Sequence, residues 1–387
     1  EWMLPDATLG WGFLAWCGYW LRGRGVKPWR FTMEQARFLL WYYAVETDST
    51  VGDFVYHSAM LQRLKGWGKD PIAACVGAGS LHAPVVFDRW EGDRPVGRDE
   101  PDAWTQIVAV SQDQTKNTMK LFPSLISVEA RNYYGIQIGK LNVWSDSDRR
   151  QIEAVTASPA AIEGGRPKQI VRNETQNWVQ GNGGHDMAGA IEGNAAKAEM
   201  GAPARILDIF NAFRPGLDSV AERAREAWES TQGDDPTSAD YGVLLDSLEA
   251  PPDAPLTAEA APSVVRSIAG DASWLDVRQN GRIIKSILNP DNSAAESRRK
   301  WYNQIGGTED AWADPRWVDQ NIVRDDEIAD GETVVMFGDG SKSDDATGLV
   351  LCRCSDGFMQ VWHVQQPQAG EIVDRAAGDA AVTEAFD

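Results

Sequence analysis

The nine residues RLKGWGKDP, at positions 63–71, lie between the alternating run FVYHSAML and the small, apolar run IAACVGAG. This succession predicts a strand, a glycine-containing turn and a helix. A phosphate-binding loop usually reads G-x-x-x-x-G-K-[ST], because backbone N–H groups at a helix start surround the phosphates while the lysine contacts them. Gly68 and Lys69 fit, but Arg63 stands at the first glycine and Asp70 at the hydroxyl residue. The pattern alone leaves two interpretations open, a phosphate loop and a plain glycine turn.

Composition limits the class of protein. The chain has 387 residues, 43% of them hydrophobic and 24% charged, which predicts a globular protein of two or three domains. We expect neither a membrane span nor a signal peptide, because no apolar run is long enough and the first twenty residues lack a basic start. Four scattered cysteines predict reduced thiols in a cytoplasmic protein. The net charge of −20 argues against coating nucleic acid by bulk charge, although a local basic lining suffices for transient contact.

Short apolar runs alternate with helical patterns through the first 250 residues. The segment 31–46 predicts a helix with a capping box formed by Thr32 and Gln35. Strands alternating with helices predict an α/β fold with a mostly parallel sheet, whose ligands bind at the carboxyl ends of the strands. Strands are predicted at 54–61, 106–111, 168–173, 204–210 and 241–247, with helices at 112–121, 186–199 and 217–230.

The pattern changes after residue 250. The Pro- and Ala-rich stretch 250–262 predicts a linker or a domain boundary, and a helical pattern follows over 263–305. Period-two runs at 333–339, 347–354 and 358–364 then predict three strands of a second domain. We therefore predict domains at 1–250, 251–330 and 331–387.

Several motifs occur in the order found in one protein family. The chain resembles the large terminase subunit of tailed bacteriophages, particularly those of actinobacterial hosts, whose deviant Walker A motif begins with Arg. The resemblance implies a P-loop ATPase domain, a helical lid or linker, and the start of a ribonuclease-H-like nuclease domain. It covers nearly the whole chain through PWRFTMEQARFLLWYYAV, RLKGWGKDP, VAVSQDQTKNTMKLF, RNETQNW, NAFRPGLDSVAERA and MFGDGSKSDDATGLVLCR.

The resemblance implies roles for the residues of the loop. Arg63, Gly66, Gly68 and Lys69 match the deviant phosphate loop, in which Lys69 binds the β- and γ-phosphates of ATP and Arg63 helps to neutralise phosphate charge. Gln35 matches the family's adenine-reading glutamine, although a capping role explains it equally well.

Further residues follow the later strands. Glu174 ends the Walker B strand and, by resemblance, positions the attacking water, with a solvated acid at a strand end as the alternative. Asn211 matches the coupling motif that senses the γ-phosphate, with a helix cap as the alternative. Asp70 and Asn173 are candidate ligands of the Mg²⁺ bound with ATP. Because Asn173 stands where an aspartate is usual, we expect Asp70 to compensate for the missing charge.

The second domain has a nuclease motif. Asp339 follows its first strand, where the family keeps a ligand for Mg²⁺ or Mn²⁺, and a turn aspartate is the alternative; Asp344 and Asp345 are weaker candidates. The basic run 298–300 is interpreted as a solvated helix face in preference to a DNA contact. The chain lacks an initiating Met and reaches only about 55 residues into this domain, so we expect a fragment that cannot cut DNA.

The resemblance implies ATP-driven translocation of double-stranded DNA into a procapsid. The implied partners are DNA, a portal protein, a small terminase subunit and further copies of the chain in a ring, in the host cytoplasm and not at a membrane. Two alternatives stay open. One is a helicase-like P-loop ATPase, and the other is a structural or DNA-binding protein with weakened catalysis.

Overall fold

The computed structural model describes residues 3–146, 149–156, 162, 164–197, 204–232, 242–306, 326–340, 346–366 and 372–386. The chain divides into two units, Glu1–Trp312 and Ala313–Asp387. The segment predicted to form a separate lid or linker at 251–330 therefore divides between the two, and its helices pack in the first unit.

Strands and helices alternate through the first unit. Its described strands are β1 (Ser58–Gln62), β2 (Val86–Glu91), β3 (Arg94–Arg98), β4 (Trp104–Ala109), β5 (Gln137–Ile138), β6 (Asn142–Ser145), β7 (Arg150–Thr156), β8 (Gln169–Asn173), β9 (Arg205–Phe210) and β10 (Val243–Ser247). Its described α-helices are α1 (Gly10–Trp20), α2 (Met33–Tyr42), α3 (Lys69–His82), α4 (Gln112–Met119), α5 (Phe122–Leu125), α6 (Val128–Tyr134), α7 (Gly184–Ala195), α8 (Val220–Ser230), α9 (Ala261–Ala269), α10 (Arg282–Ile287) and α11 (Ala294–Ser297), and a π-turn follows at Arg298–Tyr302.

The central sheet has the strand order β10-β1-β9-β8-β4-β7-β6-β5. The first six strands in this order are parallel, whereas β6 and β5 extend one edge with antiparallel pairing. Every residue of β8 and β9 is buried, as expected for parallel strands covered on both faces. The predicted α/β class with a mostly parallel sheet is confirmed.

Two helices fix the position of the glycine loop after β1. The predicted capping box of α2 is present, with the Thr32 hydroxyl accepting from the Gln35 N–H and the Gln35 side chain accepting from the Thr32 N–H. Helix α1, which the sequence analysis did not predict, packs against α3 through Phe13. A Cβ at Gly79 would lie 2.4 Å from the Phe13 ring, so glycine permits this close approach.

The Pro- and Ala-rich stretch is packed, which corrects its interpretation as a linker. Ala250 and Ala254 are buried in the main core together with Val265 and Tyr302. The Ala250 N–H donates to the Tyr302 carbonyl at 3.0 Å, and the Tyr302 hydroxyl donates to the Pro255 carbonyl at 2.7 Å. Without a regular apolar period, the stretch still contributes small side chains and backbone hydrogen bonds to the first unit.

The second unit contains the predicted three-strand meander. Its strands β11 (Val334–Asp339), β12 (Thr347–Arg353) and β13 (Met359–Gln365) pair antiparallel in chain order. Helix α12 (Arg375–Glu384) packs on this sheet, and the Trp362 indole N–H donates to a carbonyl of that helix at 2.8 Å. The four cysteines are free thiols, as predicted. None of the helices described here is long and apolar enough to cross a membrane.

Candidate functional site

One large cavity lies at the carboxyl ends of the parallel strands in the first unit. Its volume is about 1580 Å³, which exceeds the roughly 300–1,000 Å³ of common ligand pockets. Residues that follow β1, β8 and β9 line it, so it occupies the edge at which open α/β sheets bind ligands. The sequence-predicted residues that line it are Gln35, Gly66, Gly68, Lys69, Asp70, Asn173, Glu174 and Asn211.

The loop between β1 and α3 contains two glycines in left-handed conformations. The φ angle is +84° at Gly66 and +107° at Gly68, and an L-side chain adopts such angles only with strain. Helix α3 begins directly after Gly68, and its first N–H groups have no partners within the helix. The loop therefore presents a helix N-terminus, which attracts anions, to the cavity.

The Lys69 ammonium group is buried beside this helix start. Its Nζ donates to the carbonyls of Arg63 at 2.7 Å and Leu64 at 3.2 Å. Burial lowers the pKa of Lys69 to about 8, against the opposing attraction of the Glu174 and Asp70 carboxylates. The ammonium group is thus mostly charged at neutral pH, and its hydrogen bonds go to carbonyls of its own loop.

The Arg63 guanidinium group faces acidic side chains and does not line the cavity. Its Nη2 and Nε donate to the Asp246 carboxylate at 2.7 and 3.1 Å, and its Nη1 lies 3.4 Å from Glu34 Oε2. The group also lies 4.7 Å from the centre of the Trp67 ring. Carboxylates therefore compensate the charge of Arg63 in this structure, and its role in phosphate neutralisation stays a prediction.

Asp70 and Asn173 lie in contact. Asn173 Nδ2 donates to Asp70 Oδ1 at 3.2 Å and to the Thr118 hydroxyl, also at 3.2 Å. A carboxylate only accepts hydrogen bonds, so the amide nitrogen must face it. The two departures from the usual motifs thus lie side by side, and the expected charge compensation by Asp70 stays a prediction. Thr118, on α4, was not predicted.

Glu174 combines an unusual backbone with an oriented carboxylate. It directly follows β8 and has φ +58° and ψ +46°, a left-handed conformation that is costly for a residue other than glycine. Its N–H donates to the Ile209 carbonyl at 2.8 Å, and its Oε2 accepts from Gln176 Nε2 at 2.5 Å. These bonds hold the carboxylate at the cavity wall.

Asn211 and Gln35 both lie next to the loop. Asn211 Nδ2 donates to the Arg63 carbonyl at 2.8 Å, the same oxygen that accepts from Lys69. Gln35 caps α2, as described, and its Nε2 lies 3.2 Å from the position that a Cβ at Gly68 would take. Gln35 therefore both caps α2 and lines the cavity. Asn211 is hydrogen-bonded to the loop and does not cap a helix in this structure.

The helical segment after β10 also contacts the loop, through a residue that the sequence analysis missed. The Trp274 indole N–H donates to the Gly66 carbonyl at 2.9 Å, and its ring lies 3.4 Å from the Cβ position of Gly68. The side chain is half exposed and lines the cavity. Trp274 is one of 17 tryptophans, and no pattern around it separates it from those that form the core.

The basic run after α11 faces both the cavity and the protein. Arg298 Nη1 donates to the Ala254 carbonyl at 2.9 Å, and Lys300 pairs with Glu296. Arg299 and Lys300 line the cavity. The interpretation as a plain solvated face therefore fits this run only in part.

In the second unit, Asp339 is exposed at the end of β11. Asp344 and Asp345 lie outside the described residues. Among the residues that are described, no group of three or more His, Cys, Asp and Glu side chains is arranged to hold a metal ion.

Comparisons with known proteins identify relatives from mycobacteriophages. No family model matches the chain. The gene 13 protein of Mycobacterium phage L5 is 38% identical over an alignment 441 positions long, and that of Mycobacterium phage D29 is 39% identical over one of 443 positions. Both alignments cover 100% of this chain and 72% of the relative.

Among solved structures, the crystal structure of the HK97 bacteriophage large terminase matches with a TM-score of 0.56. The match has 17% sequence identity and covers 98% of this chain and 78% of the other. At this identity the likeness is one of fold.

Proposed function

The chain belongs to the family of the mycobacteriophage gene 13 proteins and has the fold of a phage large terminase, and from this premise we propose that it is the ATPase of a DNA-packaging motor. Its substrate would be ATP, whose hydrolysis drives double-stranded DNA into a procapsid. The portal protein, the small terminase subunit and further copies of the chain in a ring are the partners that this function requires, in the host cytoplasm.

The observation that supports the proposal most is convergence on a single cavity. A helix N-terminus with Lys69, the carboxylate of Glu174 and the amide of Asn211 come from three neighbouring elements of the sheet and line the same space. Phosphoryl transfer needs positive groups around the transferred phosphate and a group that orients the attacking water. These residues provide both functions.

Each residue then has a distinct role in hydrolysis. On ATP binding, Lys69 Nζ exchanges its bonds to two loop carbonyls for bonds to β- and γ-phosphate oxygens. Glu174 accepts a hydrogen bond from water and so orients it toward the γ-phosphate, while Gln176 holds the carboxylate. Gln35, which lines the same cavity, would read the adenine base.

Asn211 connects the phosphate site to the rest of the loop. Because Lys69 and Asn211 both donate to the Arg63 carbonyl, withdrawal of the lysine leaves this oxygen to Asn211 alone. Occupation of the phosphate site is thereby transmitted to the end of β9, which follows the coupling role that the family resemblance implies for Asn211.

The donor set at Asp70 and Asn173 fits Mg²⁺. Asn173 Oδ1 is buried without a hydrogen-bond partner among the described residues, and Asp70 provides a carboxylate 3.2 Å from the same amide group. Magnesium in nucleotide sites takes one or two carboxylates plus phosphate oxygens and water. The ion would supply positive charge at the β- and γ-phosphates.

We further propose that the second unit contributes one metal ligand to a nuclease site. Asp339 ends β11, where a metal-binding carboxylate would face DNA, and two-metal cleavage requires further acidic residues. This assignment stays a prediction. Metal-dependent cleavage that survives Asp339→Ala would contradict it.

Replacement of Lys69 tests the ATPase proposal. Lys69→Ala should reduce ATP turnover at least about 100-fold, which corresponds to about 2.7 kcal/mol of barrier. Lys140→Ala, in an exposed turn outside the cavity, is the matched control and should keep the parent rate. Turnover by Lys69→Ala within threefold of the parent would refute the assignment. A parent protein that binds no nucleotide would favour the structural or DNA-binding alternative.

A further inference from the structure

Thr118 links the two candidate metal ligands from a third element. It lies near the end of α4 and is fully buried. Its hydroxyl donates to Asp70 Oδ1 at 3.4 Å and accepts from Asn173 Nδ2 at 3.2 Å. Since Asn173 Nδ2 also donates to Asp70 Oδ1, the three side chains form a closed triangle of hydrogen bonds.

The triangle contains the usual chemical groups of a nucleotide metal site, but on different elements. In most P-loop proteins the residue after the lysine provides a hydroxyl, and the strand end that precedes the catalytic glutamate provides an aspartate. Here the residue after the lysine is Asp70 and the strand end is Asn173. In this chain the loop provides the carboxylate that the strand end usually provides, and Thr118 provides the hydroxyl beside it.

The hydrogen bonds of the triangle determine where the amide oxygen of Asn173 points. The amide nitrogen donates to Asp70 and to Thr118, so Oδ1 is turned away from both. It is buried and has no partner among the described residues, although a buried oxygen without a partner is costly. A cation ligand is the role in which such an oxygen gains a partner.

From this geometry we propose that Thr118 is a positioning residue that holds Asp70 and Asn173 in place as the divalent-cation ligands of the nucleotide site. The proposal rests on the proposed ATPase function. Its hydroxyl acts on both ligands at once, by donating to the carboxylate and by accepting from the amide. Hydrogen bonds that orient metal ligands typically change metal affinity by 10- to 100-fold when removed.

The experiment measures Mn²⁺ binding to the ADP complex by the loss of the free-ion EPR signal. Thr118→Val removes the hydroxyl and keeps the shape, so it should weaken Mn²⁺ affinity about tenfold or more. Thr118→Ser keeps the hydroxyl and should bind Mn²⁺ within threefold of the parent. ADP affinity in EDTA should stay within threefold in both variants, which a general loss of packing would not allow.

Two results would overturn the proposal. One is parent-like Mn²⁺ affinity in Thr118→Val, and the other is an equal loss in Thr118→Ser. If Thr118→Val fails to fold, Thr118→Ala replaces it with the same expectation. A parent protein that binds neither ADP nor Mn²⁺ with ADP would instead refute the ATPase function, so the two failures are distinguishable.

Discussion

The buried ion pair of Arg63 predicts a specific double-mutant result. Arg63→Met removes the guanidinium group and keeps an unbranched side chain of similar length. In the parent, the Arg63 side chain is 3% exposed and its Asp246 partner 11% exposed. The two groups form a bidentate pair, which is the strongest geometry for an arginine and a carboxylate.

The expected loss follows from the burial of the pair. Removal of one partner of a buried pair typically costs about 3–5 kcal/mol, because a buried charge is left uncompensated. Asp246 retains a contact of 3.8 Å to the more exposed Arg37, so we expect the lower end, about 3 kcal/mol. Adding Asp246→Leu removes the carboxylate of the bidentate pair and leaves only the second acidic partner, Glu34, so the double variant should recover about 2 kcal/mol of this loss.

The assay is urea denaturation of the nucleotide-free protein, together with steady-state ATP turnover. We expect the double variant to be more stable than Arg63→Met and to hydrolyse ATP within tenfold of the parent. A double variant no more stable than the single one would refute the ion-pair reasoning. A stable but inactive double variant would show that the guanidinium group contacts phosphate after all.

Three further perturbations test other parts of the site. The protonated form of Lys69 binds phosphate, and the pKa of this residue is about 8. ATP affinity, measured by isothermal titration calorimetry, should therefore fall by up to about tenfold per pH unit above pH 8. The Lys69→Met variant should show no such fall. In Gly68→Ala, residue 68 must adopt φ +107°, so the variant should be destabilised by about 1–3 kcal/mol and should bind ATP more weakly. The control is Gly181→Ala, whose Cβ would meet nothing within 4 Å. Its melting temperature and its ATP affinity should hardly change. Asp70→Thr alone should weaken Mn²⁺ binding to the ADP complex about tenfold or more, and adding Asn173→Asp should restore most of it; no restoration would contradict the compensation between the two residues.

Local patterns predicted the elements that bear the site. The strand patterns of β8 and β9 and the capping box at Thr32 depend on residues within a few positions of one another, and the structure confirms them. The two glycines of the loop likewise mark positive φ angles. These patterns report backbone geometry and burial, and residues close in the sequence largely determine both.

Contacts between side chains that lie far apart in the chain could not be predicted from local sequence patterns. Arg63 matched a phosphate loop by resemblance, but its guanidinium group is compensated by Asp246, 183 positions away. Thr118 lies in a motif that carries the resemblance but had no role assigned to it, and Trp274 belongs to no motif; the fold brings both to the loop. The residue types were visible in the sequence, whereas their pairing depends on how the sheet and the later helices assemble.

Single-turnover hydrolysis by Glu174→Gln tests the central claim, that this cavity binds ATP and uses Glu174 to hydrolyse it. The substitution preserves the shape of the side chain and removes its charge. Equilibrium ATP affinity should stay within about threefold of the parent, while the hydrolysis rate should fall at least about 100-fold, which corresponds to about 2.7 kcal/mol of barrier. The control Glu91→Gln, in the exposed β2–β3 hairpin, should match the parent in ATP affinity and in hydrolysis rate. Parent-like hydrolysis by Glu174→Gln, or loss of ATP binding with unchanged turnover per bound ATP, would contradict the account.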